Sequence, residues 1–163
     1  MEIIMCKTDE QLKELAQKAN EIWHEYFINI ITLEQIEYMV EKFQSYKAIK
    51  HAIEEENYTY FLAYEEQTLI GYCGVKLEGE RLFLSKLYLQ KESRGKGLSS
   101  AMLKQAIAFA KEHHKKAIYL TCNKYNTHSL DVYKAKNFYV VDSVESDIGN
   151  GFIMDDYILQ LDL

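Results

Sequence analysis

Proline is missing from the sequence altogether, so no proline-rich linker marks a domain boundary. Cysteine is scarce: Cys6, Cys73 and Cys122 stand far apart, form no Cys-x-x-Cys pair and are odd in number. That spacing argues against a disulfide framework or a zinc cluster and for a reducing compartment. No run approaches the ~20 consecutive apolar residues of a membrane span. Acids follow the first methionine too closely for a signal peptide, and there is no low-complexity tract. These absences predict a soluble, cytoplasmic chain without a membrane partner.

What is present reads as globular. Of 163 residues, 48% are hydrophobic, 13% aromatic and 27% charged, enough for one real core and too few for two, so residues 1–163 are expected to form a single domain. The net charge of −6 is unevenly spread. Between Lys91 and Lys116 seven basic residues face only Glu92 and Glu112, whereas Asp142 to Leu163 holds six acids and no base. A basic island in an acidic protein suits an anionic small ligand, and the acidic surface makes nucleic acid an unexpected partner. The acidic end suits a cationic substrate or, equally, solvation alone.

Hydrophobic periodicity predicts the elements. Residues 1–6 read as a strand. Thr8 to Gln11 forms a capping box ahead of Leu12, Leu15, Ala16, Ala19, Ile22, Trp23, Tyr26 and Phe27 at helical spacing. A second box, Thr32 to Gln35, opens a helix with Leu33, Ile36, Met39, Val40 and Phe43 inward, and a third short helix is expected within 45–57. The period then changes to that of strands, at 58–64, 69–77 and 81–89, joined by short turns into an antiparallel meander. A helix to about His113, a strand at 117–122, a helix at 126–136 and strands at 138–144 and 151–161 complete the chain. The order predicts an α/β (α+β) fold: a mostly antiparallel, twisted mixed sheet of six or seven strands flanked by helices.

One stretch carries chemistry. Leu82 to Ser100 (LFLSKLYLQKESRGKGLSS) passes from strand through a charged, glycine-rich turn into a helix at about Gly97. Amides at a helix start lack intrahelical partners and sit at the positive end of the macrodipole, so a phosphate or pyrophosphate suits this junction. Gly95 and Gly97 permit close approach, and Arg94 and Lys96 add charge. A Rossmann fingerprint would need a third glycine where Ser100 stands, and no Gly-Lys-Ser/Thr completes a Walker A loop.

At these residues the chain resembles the GNAT superfamily of acetyl-CoA-dependent N-acetyltransferases. The superfamily pattern is Gln or Arg, two residues, Gly, one residue, then Gly or Ala, directly after a strand. Arg94, Gly97 and Ser99 occupy those positions; the serine is a departure, slightly larger than alanine, that keeps the amide. The likeness continues through Asn126 and Tyr133 and through Asn137-Phe138, where Gly-Phe is common, and spans roughly residues 58–161. Asparagine tolerates the left-handed conformation that glycine would supply.

The resemblance implies direct attack of a substrate amine on the thioester of acetyl-CoA, the co-substrate, with no metal. It implies that Leu87, Tyr88 and Leu89 hold the pantetheine and acetyl end along a strand edge, with a bulged strand end there supplying an N–H to the carbonyl oxygen. Arg94, Gly95, Lys96, Gly97, Leu98 and Ser99 would then hold the pyrophosphate, and Asn126 would bond pantetheine or cap its helix. Tyr133 is the expected acid for the departing thiolate, since an ordinary phenol with a pKa near ~10 stays protonated at neutral pH; as one of 13 tyrosines it also suits a core role. His24, Glu25, Asp155 and Asp156 are candidate bases, none of them within the motif. The acceptor would be a primary amine of a small molecule, such as a cationic polyamine, or of a polypeptide. An exposed strand in the C-terminal half could pair two copies as a homodimer. The alternative is a non-catalytic acyl-CoA-binding or regulatory module of the same fold.

Overall fold

A computed structural model describes residues 1–163. The chain runs through strand β1 (Glu2–Met5), helices α1 (Asp9–Tyr26), α2 (Leu33–Met39) and α3 (Tyr46–Glu55), and strands β2 (Tyr58–Glu65), β3 (Thr68–Glu78) and β4 (Arg81–Leu89). It continues through α4 (Leu98–Glu112), β5 (Ala117–Asn123), α5 (Thr127–Ala135), β6 (Tyr139–Gly149) and β7 (Phe152–Asp162). No helix is long and apolar enough to cross a membrane.

Local signals set many of the boundaries. Both halves of the first capping box form: the Thr8 hydroxyl accepts from the Gln11 amide, and Gln11 Oε1 accepts from the Thr8 amide. The second box forms by half. Thr32 accepts from the Gln35 amide at 3.1 Å, but the Gln35 side chain turns away to donate to Met154 Sδ. Asn137 takes φ of 71°, the left-handed conformation expected at a helix end.

The seven strands form one sheet in the order β1-β2-β3-β4-β5-β7-β6, in which only β4 and β5 run parallel. This is the mixed, mostly antiparallel sheet that the sequence implies. Helix α4 and Leu130 of α5 cover one face over a core including Phe61, Val75, Leu82, Leu84, Met102, Ala106 and Ile118. Helices α1 and α3 cover the other, over Leu15, Ile22, Ile49, Leu62 and Tyr72. A third cluster joins the end of α1 to α2 and to the β6–β7 hairpin through Trp23, Phe27, Ile36, Met39, Ile148 and Met154. Gly71 lets β3 and β4 approach: a Cβ there would lie 2.5 Å from the Tyr88 carbonyl oxygen.

Three expectations are corrected. Helix α2 leads into a π-helical turn, Val40–Gln44, whose extra residue per turn rotates the side chains that follow. Phe43 therefore turns outward, while Gln44 is buried and accepts a 3.0 Å bond from the Tyr72 hydroxyl. Leu33, in the first turn of α2, is also exposed rather than inward. Strand β6 runs on to Gly149 instead of stopping at Val144, because it is an edge strand bonded only to β7 and so needs no apolar alternation on its open side.

Candidate active site

The site begins where the sheet comes apart. Strands β4 and β5 pair only through Arg81–Phe83 and Ala117–Tyr119, and beyond that they diverge while β4 stays bonded to β3 as far as Leu89. The β5-facing edge of β4 from Leu84 onward is thus a free row of amides and carbonyls. A bulge interrupts β4 as well, at Ser85: Leu84 pairs with Val75 and Lys86 with Gly74, leaving Ser85 as the extra residue. The expected bulge at Leu87–Leu89 therefore lies earlier in the strand. Its effect is to change faces. Leu82 and Leu84, then Leu87 and Leu89, face α4, while Lys86 and Tyr88 turn toward Tyr58, Trp23 and Phe27.

Past Leu89 the chain enters α4 through Gly95 at φ 77° and Gly97 at φ 78°. Gly97 is the N-cap and supplies no side-chain bond. No carbonyl accepts from any amide between Gly95 and Ser100, so this helix start presents a cradle of free N–H groups. Such a cradle fits a pyrophosphate. Arg94 is engaged elsewhere: Nη2 lies 2.6 Å from Glu25 Oε1, Nε donates to the Leu89 carbonyl at 3.0 Å, and the guanidinium stands over the Tyr26 ring. Lys136 donates to Ser100 Oγ beside the same cradle.

Cradle and strand gap open into one cleft of about 650 Å³. Of the residues expected to hold the co-substrate, Leu87, Tyr88, Leu89, Arg94, Gly95, Gly97, Ser99 and Asn126 line it. Lys96 and Leu98 do not: Lys96 is exposed, and Leu98 packs against the α4 core. Asn126 caps α5 by accepting from the Ser129 amide, and it also accepts from the Tyr26 hydroxyl at 3.0 Å. That bond ties α1 to α5.

Tyr133 faces the cleft from α5, and burial pushes its phenol well above the ordinary value, so it keeps its proton. Of the four candidate bases, three are committed outside the cleft lining. His24 Nδ1 meets the Asn20 carbonyl, Glu25 holds Arg94, and Asp155 pairs with Lys124 at 2.7 Å. Asp156 alone lines the cleft, 8% exposed, and burial and then Asp155 raise its carboxyl to about 6. Strand alternation thus separates the adjacent aspartates. Cys73 and Cys122 are buried and pushed up to about 12, which keeps them thiols.

Sequence reasoning did not find Lys86, Met39, Ile148 or Met154 in the lining. Burial draws the Lys86 amine down to about 8, and no local pattern marks any of the four.

The site is thus a parted parallel pair that ends in an anion cradle, with a phenol and a carboxylate facing the gap. The chain belongs to the acetyltransferase (GNAT) family, whose model matches residues 16–138. The match starts inside α1, well ahead of the resemblance read at residues 58–161, and stops before the β6–β7 hairpin. The chain is thus an acetyl-CoA-dependent N-acetyltransferase, passing an acetyl group to an amine. It is 27% identical over 150 residues to the spermidine N(1)-acetyltransferase of Thermoplasma acidophilum, covering 90% of this chain and 91% of that protein. In fold it is similar to the PaiA N-acetyltransferase of Thermoplasma acidophilum solved with coenzyme A, at TM-score 0.81, 22% identity and full coverage of both chains. It is similar too to a GCN5-related N-acetyltransferase of Rhodopseudomonas palustris, at TM-score 0.82 and 10% identity, over 99% of this chain and 95% of that one.

Proposed function

We propose that the protein acetylates a primary amine directly, inside a ternary complex, with Asp156 as base and Tyr133 as acid. The observation that carries this reading is that Asp156 and Tyr133 line the one cleft between β4 and β5. Acetyl-CoA supplies a thioester whose carbonyl carbon bonds to the amine nitrogen as the C–S bond breaks. Asp156 takes the proton that the amine loses, a role suited to a carboxyl at about 6, ionised at neutral pH yet more basic than an exposed one. Tyr133 gives its proton to the departing thiolate and regains one from water.

The remaining residues hold and orient. The free edge of β4 at Leu87, Tyr88 and Leu89 takes the pantetheine arm as an added strand would, and an amide of that edge faces the carbonyl oxygen. The amides of Gly95 to Ser99 cradle the pyrophosphate, with Lys136 beside them. Arg94 serves more as a strap that fixes the loop to α1 than as a phosphate ligand. Spermidine, the substrate named for the Thermoplasma relative, belongs to the amine class considered. The non-catalytic alternative is motivated by Ser99 and by the absence of a base evident from sequence; the position of Asp156 in the cleft supports the catalytic reading instead.

Initial rates with both substrates varied test the ternary complex. Intersecting double-reciprocal lines and no acetylated protein by mass spectrometry are expected; parallel lines with an acetyl adduct on the protein would overturn the direct route.

A further inference from the structure

The acceptor side of the cleft has a chemistry that a polyamine does not match. Its walls are Trp23 of α1, Phe27 just past the end of that helix, Met39 of α2, Tyr88 of β4, and Ile148 and Met154 of the hairpin. Tyr88 meets Trp23 and Phe27 edge-on, at ring-centroid distances of 5.6 and 5.9 Å, so the three rings pack on one another as a single apolar wall of the cleft. Met39 and Met154 add polarisable, adaptable side chains.

The charges are equally telling. Asp156 is the only carboxylate among the cleft residues, against Lys86, Arg94 and Lys136 as cations. The acidic C-terminal segment, which suited a cationic substrate or solvation alone, lines this chamber with Val144, Ser146, Ile148, Met154 and Asp156, but only one of its six carboxylates, Asp156, is among them. Asp142, Glu145 and Asp147 are exposed on β6, Asp155 is paired with Lys124, and Asp162 accepts from Tyr139. One ammonium therefore finds one carboxylate. A second would be desolvated among aromatic and thioether groups, with the Lys86 amine as the other ionisable group on that side.

The chamber is also roofed. The Tyr38 hydroxyl donates to the Ile148 carbonyl at 2.7 Å, Gln35 donates to Met154 Sδ, and the Tyr38 ring packs on Phe152 at 5.3 Å. Gly149, at φ 92°, is where this closure is tightest, since a Cβ there would lie 2.7 Å from the Tyr38 hydroxyl. These contacts dock helix α2 on the hairpin, beside Met39, Ile148 and Met154 of the acceptor walls.

Building on the acetyl-transfer reading above, we infer that the acceptor is a small apolar monoamine of the arylalkylamine type, its amine on Asp156 and its ring against the wall that Trp23, Phe27, Tyr88 and Met154 form. The test is thiol release from acetyl-CoA by the intact protein with 2-phenylethylamine, tryptamine, spermidine, spermine and a short peptide with a free N-terminus. An apolar pocket discriminates by roughly tenfold or more per added or lost group of this kind, so kcat/KM for the better arylalkylamine is expected to exceed that for either polyamine at least about tenfold. A polyamine or the peptide turning over as well as the arylalkylamines overturns the inference and leaves acetyl transfer standing. No turnover with any amine, while acetyl-CoA still binds by calorimetry, overturns the transfer reading beneath it. Met154→Glu, compared with the uncharged Met154→Gln, is expected to move the preference toward spermidine by several-fold. An unchanged ratio in both variants counts against this chamber as the acceptor site.

Discussion

The donor side of the cleft comes mostly from one continuous stretch, Leu87 to Ser99, joined by Asn126 and Tyr133, whereas the acceptor side gathers single residues from α1, α2, β4 and the β6–β7 hairpin. On the donor side the binding groups are largely backbone: a strand edge freed because β5 diverges, and amides freed because Gly97 starts α4 in a left-handed conformation. Such groups are set by local geometry, and neighbours along the chain specify them. On the acceptor side the groups are side chains whose meeting depends on a π-helical turn, a long hairpin and a strand bulge at Ser85. One half can persist while the other is rebuilt for a new amine.

Tyr133 is where the two sides meet, and its removal gives the largest expected effect. Tyr133→Phe keeps the ring and its edge contact with Phe138 but deletes the proton donor. A lost general acid costs about 10²- to 10⁴-fold, so kcat should fall by at least about a hundredfold while calorimetry finds acetyl-CoA affinity unchanged within about twofold. A weakened affinity with kcat intact would reduce Tyr133 to a wall of the donor channel.

Asp156 tests the acceptor side next. In the wild type, kcat/KM is expected to fall about tenfold per pH unit below about 6, as the carboxyl takes up its proton. Asp156→Asn should lower kcat/KM by about ten- to a hundredfold and abolish that limb. Stability should move oppositely. The folded-state value of about 6 lies above the ~4 of an unfolded aspartate, so the stabilisation from binding this proton is complete below the unfolded value and is lost as pH rises through 6. At pH 8 the wild type carries a buried, ionised group, and the asparagine variant should be more stable by on the order of 2 kcal/mol. Thermal melts at pH 8 and pH 4 check the sign: the gain is expected at pH 8 and should shrink toward pH 4.

Legibility in the sequence follows the same division. The Thr8 cap, the left-handed Asn137, the order of strands and helices along the chain and the strand-to-helix cradle are local, and composition and spacing announced them. Asp155 and Asp156 could be told to face opposite ways, but which one faces inward depends on the register of β7 against β5 and β6. Gln44 was hidden because the π-helical turn breaks the helical period on which an inward Phe43 rested. Lys86 was hidden because the bulge at Ser85 reverses the faces of β4. Neither irregularity has a composition that marks it.

Arg94 and Glu25 offer a finer test of where the donor side ends. If Arg94 is a strap, Arg94→Ala frees the loop and should weaken acetyl-CoA binding by roughly tenfold. Glu25→Gln, which keeps shape but removes the charge held 2.6 Å from Arg94, should weaken affinity too, by a few-fold only, since Arg94 Nε still holds the Leu89 carbonyl. Both side chains are about one-third exposed, so stability should change by less than about 1 kcal/mol in Glu25→Gln. Titration of both variants and the double variant separates the roles: equal, additive losses would mean that the pair does not hold the loop.

Ser99 gives the smallest expected effect and the sharpest limit on the backbone account. It stands where the family pattern has glycine or alanine, and it lines the cleft at the first turn of α4. If the cradle works through amides, removing the hydroxyl changes little, because the N–H remains in place and Leu98 still anchors the turn against the core. Ser99→Ala should therefore bind acetyl-CoA within about threefold of the wild type, a difference below 1 kcal/mol or so. A loss of tenfold or more would mean that the serine oxygen itself contacts the ligand, and that the donor side, like the acceptor side, depends on a side chain particular to this protein.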